Sequence, residues 1–505
     1  MTAIIGIDLG TTYSAVAYID EIGRPVILRD EQGDNIMPSC VAERDGRMVV
    51  GDVARIRAIA DLDRKRNNER VGARFKRYMG SSEKHEVGNH SLTPTELSSL
   101  VLKKLVGLAE RKLGPIAEAV VTIPANFAHE AREATIQAAK AARLEIRHII
   151  NEPTAAALFY ANQVDTDMHG HYAVFDLGGG TFDVSIIDID GEKIRVVASS
   201  GVSRLGGDDF DKALVGLVAK KYKVELGRRM DPEDFGRDDA ESLKKKLSTV
   251  QSADAKVGRR DFLEISRSDF EEEISSLLAQ ITMHCETALE ESQLSPSDIK
   301  CVFLAGGSSR VPAVKRVVER VFEQEPVETA NLDEVVALGA ALYAARKAAP
   351  EKLNAAQSRT VGSIGLQEIA AYCFGTLTLG RDSATQQECM QNSILIMKGD
   401  AIPCEVSEDF FTVADNQQSV RLTVTSSNMA ESDPEFAKLV WEGNLPLPPG
   451  RPKGQKINVS FSIDENGTMN CHFKDVDSGE YVEVDINEGI RAQIEASPVQ
   501  QFQVD

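Results

Sequence analysis

Positive charge is scarce in this 505-residue chain: 57 Lys and Arg stand against 78 Asp and Glu, a formal net charge of −21. That balance favours solubility and argues against general binding to nucleic acid or to an anionic membrane surface. Paired cysteines are lacking as well. Cys40, Cys285, Cys301, Cys373, Cys389, Cys404 and Cys471 are dispersed, with no Cys-x-x-Cys spacing, so reduced thiols are expected. His169 and His171 lie close together, but a polar loop is their expected setting rather than a metal site. No apolar run approaches a membrane span, and Met1 leads straight into a strand-like segment without a basic leader. A cytoplasmic protein is therefore expected. Asn458-Val-Ser and Asn466-Gly-Thr match the glycosylation pattern and read, in that setting, as strand and turn residues.

What the chain does have is a repeated turn. Residues 174–183 read Val-Phe-Asp-Leu-Gly-Gly-Gly-Thr-Phe-Asp: an apolar strand delivers Asp176 to three glycines, and Thr181 follows. Glycines there let backbone N–H groups approach a phosphate without Cβ obstruction. A carboxylate beside a polyphosphate needs a hard cation between them, such as Mg²⁺. About 170 residues earlier the pattern recurs as Ile7-Asp8-Leu9-Gly10-Thr11-Thr12. A third glycine turn, Ala305-Gly306-Gly307-Ser308-Ser309-Arg310, again follows an apolar strand. One such turn is an ordinary hairpin; three suggest two similar half-domains facing one nucleotide.

Residues 1–50 alternate short apolar segments with turns, as antiparallel hairpins do. Residues 64–77 are dense in cations. They read either as a solvated face or as cations, Lys76 or Arg77 especially, that reach phosphates. Thr93-Pro94-Thr95-Glu96 is a helix start, with threonine as N-cap and proline at the first position. Leu97, Leu100, Val101, Leu105 and Leu108 then form one apolar face that ends at Gly114. A strand over 119–123 and an alanine-rich helix over 128–142 complete a β–α–β alternation, so the region is α/β. Ser268 with Glu271 reads as a capping box opening a long helix to about Glu291, and 333–349 reads as helical. Residues 350–371 lose periodicity and are the expected linker. From 372 the chain alternates as an antiparallel β-sandwich to 489, and 490–505 is a short tail.

Together these segments resemble the heat-shock 70-kilodalton (DnaK-type) chaperones. The likeness also rests on Ile149-Ile-Asn-Glu-Pro-Thr-Ala-Ala-Ala157, Leu205-Gly-Gly-Asp-Asp-Phe-Asp211 and Ala414-Asp-Asn-Gln-Gln-Ser-Val420. The resemblance implies an actin-like, two-lobed ATPase over 1–349, a linker over 350–371 and a peptide-binding sandwich over 372–489. It implies ATP/ADP and Mg²⁺ as cofactors, with Asp8, Glu152 and Asp176 holding the metal largely through water. Gly10, Thr11, Thr12, Tyr13, Gly178, Gly179, Gly180 and Thr181 match phosphate-binding positions. Lys76 matches the lysine that orients the attacking water, and Asp183 lies near the same centre. Glu241, Lys244 and Ser248 share one helical face, where the family grips adenine and ribose. Gly206, Gly207, Gly306, Gly307, Ser308, Arg310 and Asp333 close that pocket. Pro124 and Arg132 match an interdomain relay. Val420 falls at the family's central hydrophobic pocket and Val413 at a residue arching over the peptide; alternation alone also reads them as sandwich core. Implied partners are unfolded, apolar peptide segments and a nucleotide-exchange factor, with no nucleic acid and no membrane.

Departures from the family pattern carry their own expectations. No helical lid follows the sandwich before Asp505, so fast peptide exchange is expected. Residues 363–368 (Ser-Ile-Gly-Leu-Gln-Glu) are less apolar than a typical linker, which implies looser coupling. His148 stands where an arginine contacts J-domain co-chaperones, which puts that partner in doubt. Two other functions compete: a nucleotide-binding scaffold with little turnover, and an actin-like metabolite kinase.

Overall fold

The structure, a computed structural model, describes residues 3–52, 71–144, 146, 148–163, 168–191, 193–327, 331–362, 365–381, 387–484, 486, 494 and 497–504. The cation-rich residues 64–70 and residues 363–364 of the expected linker lie outside these. The chain divides into two compact units. The first holds Met1–Phe127, Ala134–Gly365 and Ile494–Asp505; the second holds Ala128–Glu133 and Leu366–Gln493.

Two sheets of the first unit repeat one topology. In the first sheet, β1 (Ala3–Asp8), β2 (Tyr13–Ile19) and β3 (Pro25–Ile27) form an antiparallel meander. β4 (Ile116–Ile123) then adds parallel to β1, and β5 (His148–Asn151) adds parallel to β4. The order is β5-β4-β1-β2-β3. In the second sheet β6 (His169–Leu177), β7 (Phe182–Asp190) and β8 (Lys193–Val202) form the meander, and β9 (Ile299–Ala305) adds parallel to β6. A parallel bridge from Phe303 to Val327 stands where the counterpart of β5 would be. Asp8 and Asp176 therefore occupy equivalent strand ends, as the repeated turn requires.

The connecting helices follow local chemistry. α1 (Pro94–Leu113) starts at a complete capping box: Thr93 accepts from the Glu96 N–H, and Glu96 Oε2 accepts from the Thr93 N–H at 2.7 Å. It ends at Gly114, φ +85°. Further on come α2 (Glu152–Gln163), α3 (Gly207–Leu226), α4 (Arg237–Leu247) and α5 (Val335–Lys347). The helix expected from Ser268 starts earlier and is broken. Ser266, extended at the end of a strand, is the N-cap and accepts from the Asp269 N–H at 3.0 Å. That places Ser268 inside the first turn. The helix runs over Arg267–Glu273, then Ile274 leaves helical geometry before Ser275–Ser292. Within the expected linker, Ala355–Val361 is helical, capped by Asn354, whose amide donates to the Glu21 carbonyl at 3.0 Å. His169 and His171 lie on β6 rather than in a loop, paired with Asp190 and Asp188. The described cysteines are all free.

The second unit, apart from Ala128–Glu133 at the start of the helix His129–Ala141, is built mainly of strands. One four-stranded sheet has the order β11-β10-β13-β14, from β10 (Cys373–Arg381), β11 (Glu388–Ile396), β12 (Cys404–Phe411), β13 (Ser419–Ser427) and β14 (Lys438–Pro446), with β12 excluded. β12 instead joins β15 (Lys456–Ile463), β16 (Met469–Asp475) and β17 (Tyr481–Val484) in the order β12-β15-β16-β17. Phe374, Leu422 and Val424 of one sheet share a core with Val459, Phe461 and Phe473 of the other. Alternation along β15, every second residue buried, is what a sheet with one covered face demands. No described helix is long and apolar enough to cross a membrane.

Candidate functional site

The glycine turns of the first unit meet backbone to backbone. A Cβ on Gly179 would stand 1.9 Å from Thr12 Oγ1, so the turn after β6 faces the turn after β1 at a distance only glycine permits. The Gly207 N–H donates to the Gly178 carbonyl at 3.0 Å, and the Asp208 N–H to the Gly179 carbonyl at 2.7 Å. Gly206 backs directly on Gly179, and Gly180 on Thr11. Gly306, φ +75°, lies against Leu177 and Asp176, and Gly307 against Asp333. Thr12 Oγ1 is enclosed and has no hydrogen-bond partner. An unpaired buried hydroxyl is costly, and in a glycine cradle it marks a place for a ligand oxygen.

Carboxylates crowd the floor of this cradle. Asp8, Glu152 and Asp176 line one small cavity with Lys76, Gly10, Thr11, Thr12, Tyr13, Gly178, Gly179, Thr181, Gly306, Gly307 and Asp333. Lys76, buried, donates to Glu152 Oε1 at 2.5 Å and stands 5.7 Å from the Phe127 ring centre. Asp8 accepts from Thr122 Oγ1 at 3.0 Å. Burial, then the charge of Glu152, pushes Asp8 up to about 7, although Lys76 and Thr122 pull it down. Burial and the neighbouring Glu152, Asp183 and Asp8 hold Asp176 well above the ordinary carboxylate range. Asp183, paired with Asp176 across β6 and β7, accepts from the Asn126 N–H at 3.2 Å. A single buried ammonium thus faces several carboxylates, and the set lacks positive charge. A divalent cation would supply it. The oxygens of Asp8, Glu152 and Asp176 do not all converge to within 4.8 Å, so the three would not all ligate one ion directly; among the described residues Asp30, Asp34 and Asp52 are the group that does converge.

Beside this floor a larger cavity, about 850 Å³, is lined by Thr12, Tyr13, Gly179, Gly207, Glu241, Lys244, Ser248, Gly307, Ser308, Arg310 and Asp333. That volume is within the range that takes a nucleoside. α4 and its C-cap Ser248 present Glu241, Lys244 and Ser248 to this cavity, the shared face their spacing predicts. Lys244 is tied to Asp211 at 2.7 Å and to the Gly207 carbonyl at 3.0 Å, and Arg310 to Asp333 at 2.6 Å. Sequence reasoning missed the ion pairs that close the cleft. Arg74 meets Asp208 at 2.7 Å, Arg77 meets Asp209 at 2.9 Å, and Lys245 meets Glu241 at 2.7 Å while facing the Tyr13 ring. Asp208 and Asp209 were visible in the Gly-Gly-Asp-Asp motif, but nothing local names their partners.

The remaining expected residues lie elsewhere. Pro124 directly follows β4, and Arg132 is buried in the helix His129–Ala141. In the second unit Val413 is 59% exposed just past β12, its N–H donating to Gln417 Oε1 at 3.1 Å. Val420 is half-buried on β13 and packs against the core, so part of its side chain serves the fold. His148 lies on β5, edge-on to the Tyr343 ring.

Compared with known families, the chain matches the Hsp70 protein model over residues 4–504, nearly its whole length.

Proposed function

The chain belongs to the Hsp70 family, and from that premise we propose that it is an ATP-dependent chaperone whose first unit hydrolyses ATP to control peptide binding in the second. The repeated strand order of the two sheets supports an actin-like, two-lobed ATPase over 1–349. The two four-stranded sheets support a β-sandwich for extended apolar peptides over 372–489, joined by a linker within 350–371. A nucleotide-exchange factor is the partner this reading adds; the free thiols suit a reducing compartment, and we place the protein in the cytoplasm.

The single observation that carries the reading is the glycine cradle, with the unpaired Thr12 hydroxyl above an excess of buried carboxylates. Backbone N–H groups of the two turns and Thr12 receive the phosphates; Asp8, Glu152 and Asp176 are the groups that would hold Mg²⁺. When bound, the metal neutralises phosphate charge. Lys76, fixed by Glu152 and backed by Phe127, positions the attacking water and stabilises charge that develops on the γ-phosphate. Glu241, Lys244, Ser248 and Arg310 grip the nucleoside in the larger cavity. Peptide backbone pairs with strand edges near Val413, and an apolar side chain packs at Val420.

Calorimetry with Mg²⁺ and ATP, followed by single-turnover hydrolysis, tests the first unit. Binding with no turnover would support the scaffold reading and refute the enzyme. Titration of an apolar peptide with ATP and with ADP tests the second; equal affinity in the two states refutes coupling.

A further inference from the structure

Segment 494–504 follows the β unit in the chain, yet it groups with the first unit. Ile494 and Val499 are buried there, 3% and 1% exposed. The Met48 N–H donates to the Gln503 carbonyl at 3.1 Å, and Val504 bridges Met48 in parallel. The segment thereby bridges Arg47–Val50, the edge of a small sheet that continues through Cys40–Arg44 to Gly72–Ala73, at one position. An edge of this kind would otherwise present unpaired backbone groups, and here the Met48 N–H finds its partner in the segment. α1 supplies the other wall. Lys103 Nζ donates to the Phe502 carbonyl at 2.5 Å, and Ser497 donates to Glu96, the carboxylate of the α1 capping box. The Phe502 ring lies 4.8 Å from that of His90.

We propose that Ile494 and residues 497–504 form an intramolecular strap, held in the groove between Arg47–Val50 and α1 by the short 3-10 turn Pro498–Gln501 and a backbone bridge at Val504, and that this strap steadies the module that presents Lys76. The far strand of the same sheet, Gly72–Ala73, runs directly into Arg74 and the turn Phe75–Tyr78. α1 packs beneath that turn, with Ser98 donating to Met79 Sδ at 3.6 Å. Strap, sheet edge and helix are therefore one contiguous body with the Lys76 turn. The groove takes a short 3-10 turn with an apolar residue at the place of Val499, followed by an aromatic at the place of Phe502. The groove and its occupant do not depend on the proposed function; only an effect on ATP turnover rests on it.

Hydrogen–deuterium exchange on the full chain tests the strap. In wild type, amides of 47–50 and 497–504 are expected to be protected, and in Val499→Asp to exchange about tenfold faster, with 75–79 following. Val499→Ile should retain protection. Phe502→Ala, a gentler release, decides the question should Val499→Asp not fold. Free exchange of 497–504 in wild type overturns the strap, and release without faster exchange at 75–79 overturns its link to Lys76. Wild-type protein that shows this protection but hydrolyses no ATP would refute the enzyme reading and still support the strap.

Discussion

Two buried aspartates, one in each unit, are paired with cations and titrate in opposite directions. Asp211 on α3 meets Lys244 at 2.7 Å, but burial, with Glu241 and Asp208 nearby, leaves it raised to about 6 despite Lys244. Asp475 at the end of β16 is also fully enclosed. There burial is outweighed by paired bonds from Arg451, a 2.6 Å bond from Ser478 and the Asp477 N–H, and it falls to about 2. The difference is one of satisfaction. Asp475 closes a hairpin turn and has every bond it needs; Asp211 belongs to a cavity wall whose negative charge exceeds its donors. Surplus charge of that kind suits a place where a ligand completes the set.

The largest break in this contrast would come from Lys76→Ala, which removes the buried ammonium among the carboxylates. Single-turnover ATP hydrolysis should fall about 100-fold or more; a wild-type rate would deny Lys76 its role. Next, Gly179→Ala puts a methyl where Thr12 Oγ1 stands, and calorimetry should show nucleotide affinity down about tenfold. No comparable loss of apolar peptide binding is expected from it.

Acidity sharpens the contrast further. Asp475 titrates near 2 when folded against 3.8 ordinarily, so its stabilisation is complete above pH 3.8 and is lost as pH falls through 2. Denaturant titrations of Asp475→Asn should therefore show a stability deficit at neutral pH that closes in acid. Asp211, raised from 3.8 to about 6, behaves oppositely. Its folded form keeps a proton that the unfolded chain has lost, so its contribution is full below pH 3.8 and disappears as pH rises through 6. Asp211→Asn should flatten the fall in stability across that window, the smallest of these effects. A difference curve of the reverse slope would sink the argument.

Much of the fold was legible because its signals are local. Thr93 and Glu96 close their own capping box, and the two Asp-Leu-Gly turns announced two equivalent strand ends. Ser268 misled because a serine with an acid three residues on occurs twice, as Ser266 with Asp269 and as Ser268 with Glu271, and only the extended backbone at Ser266 selects between them. His169 and His171 misled for a similar reason: they sit at the solvent end of a strand whose apolar part starts at Tyr172. The site was legible as membership but not as wiring. The resemblance named many residues that the structure places around the two cavities, and spacing gave the shared face of Glu241, Lys244 and Ser248, whereas the ties of Arg74 to Asp208 and Arg77 to Asp209 span more than 130 residues and leave no periodic trace.

α2 and α5 follow corresponding strands of the two repeats, and a Cβ on Gly339 of α5 would come within 1.7 Å of the Ala155 carbonyl oxygen of α2. The two cylinders touch through main chain, with alanines on either side. A crossing of that kind has no tall ridges to interlock, so it opposes separation while leaving rotation weakly restrained. It is a bearing rather than a bolt, and on the proposed reading a nucleotide-driven closure would turn about it without repacking either core.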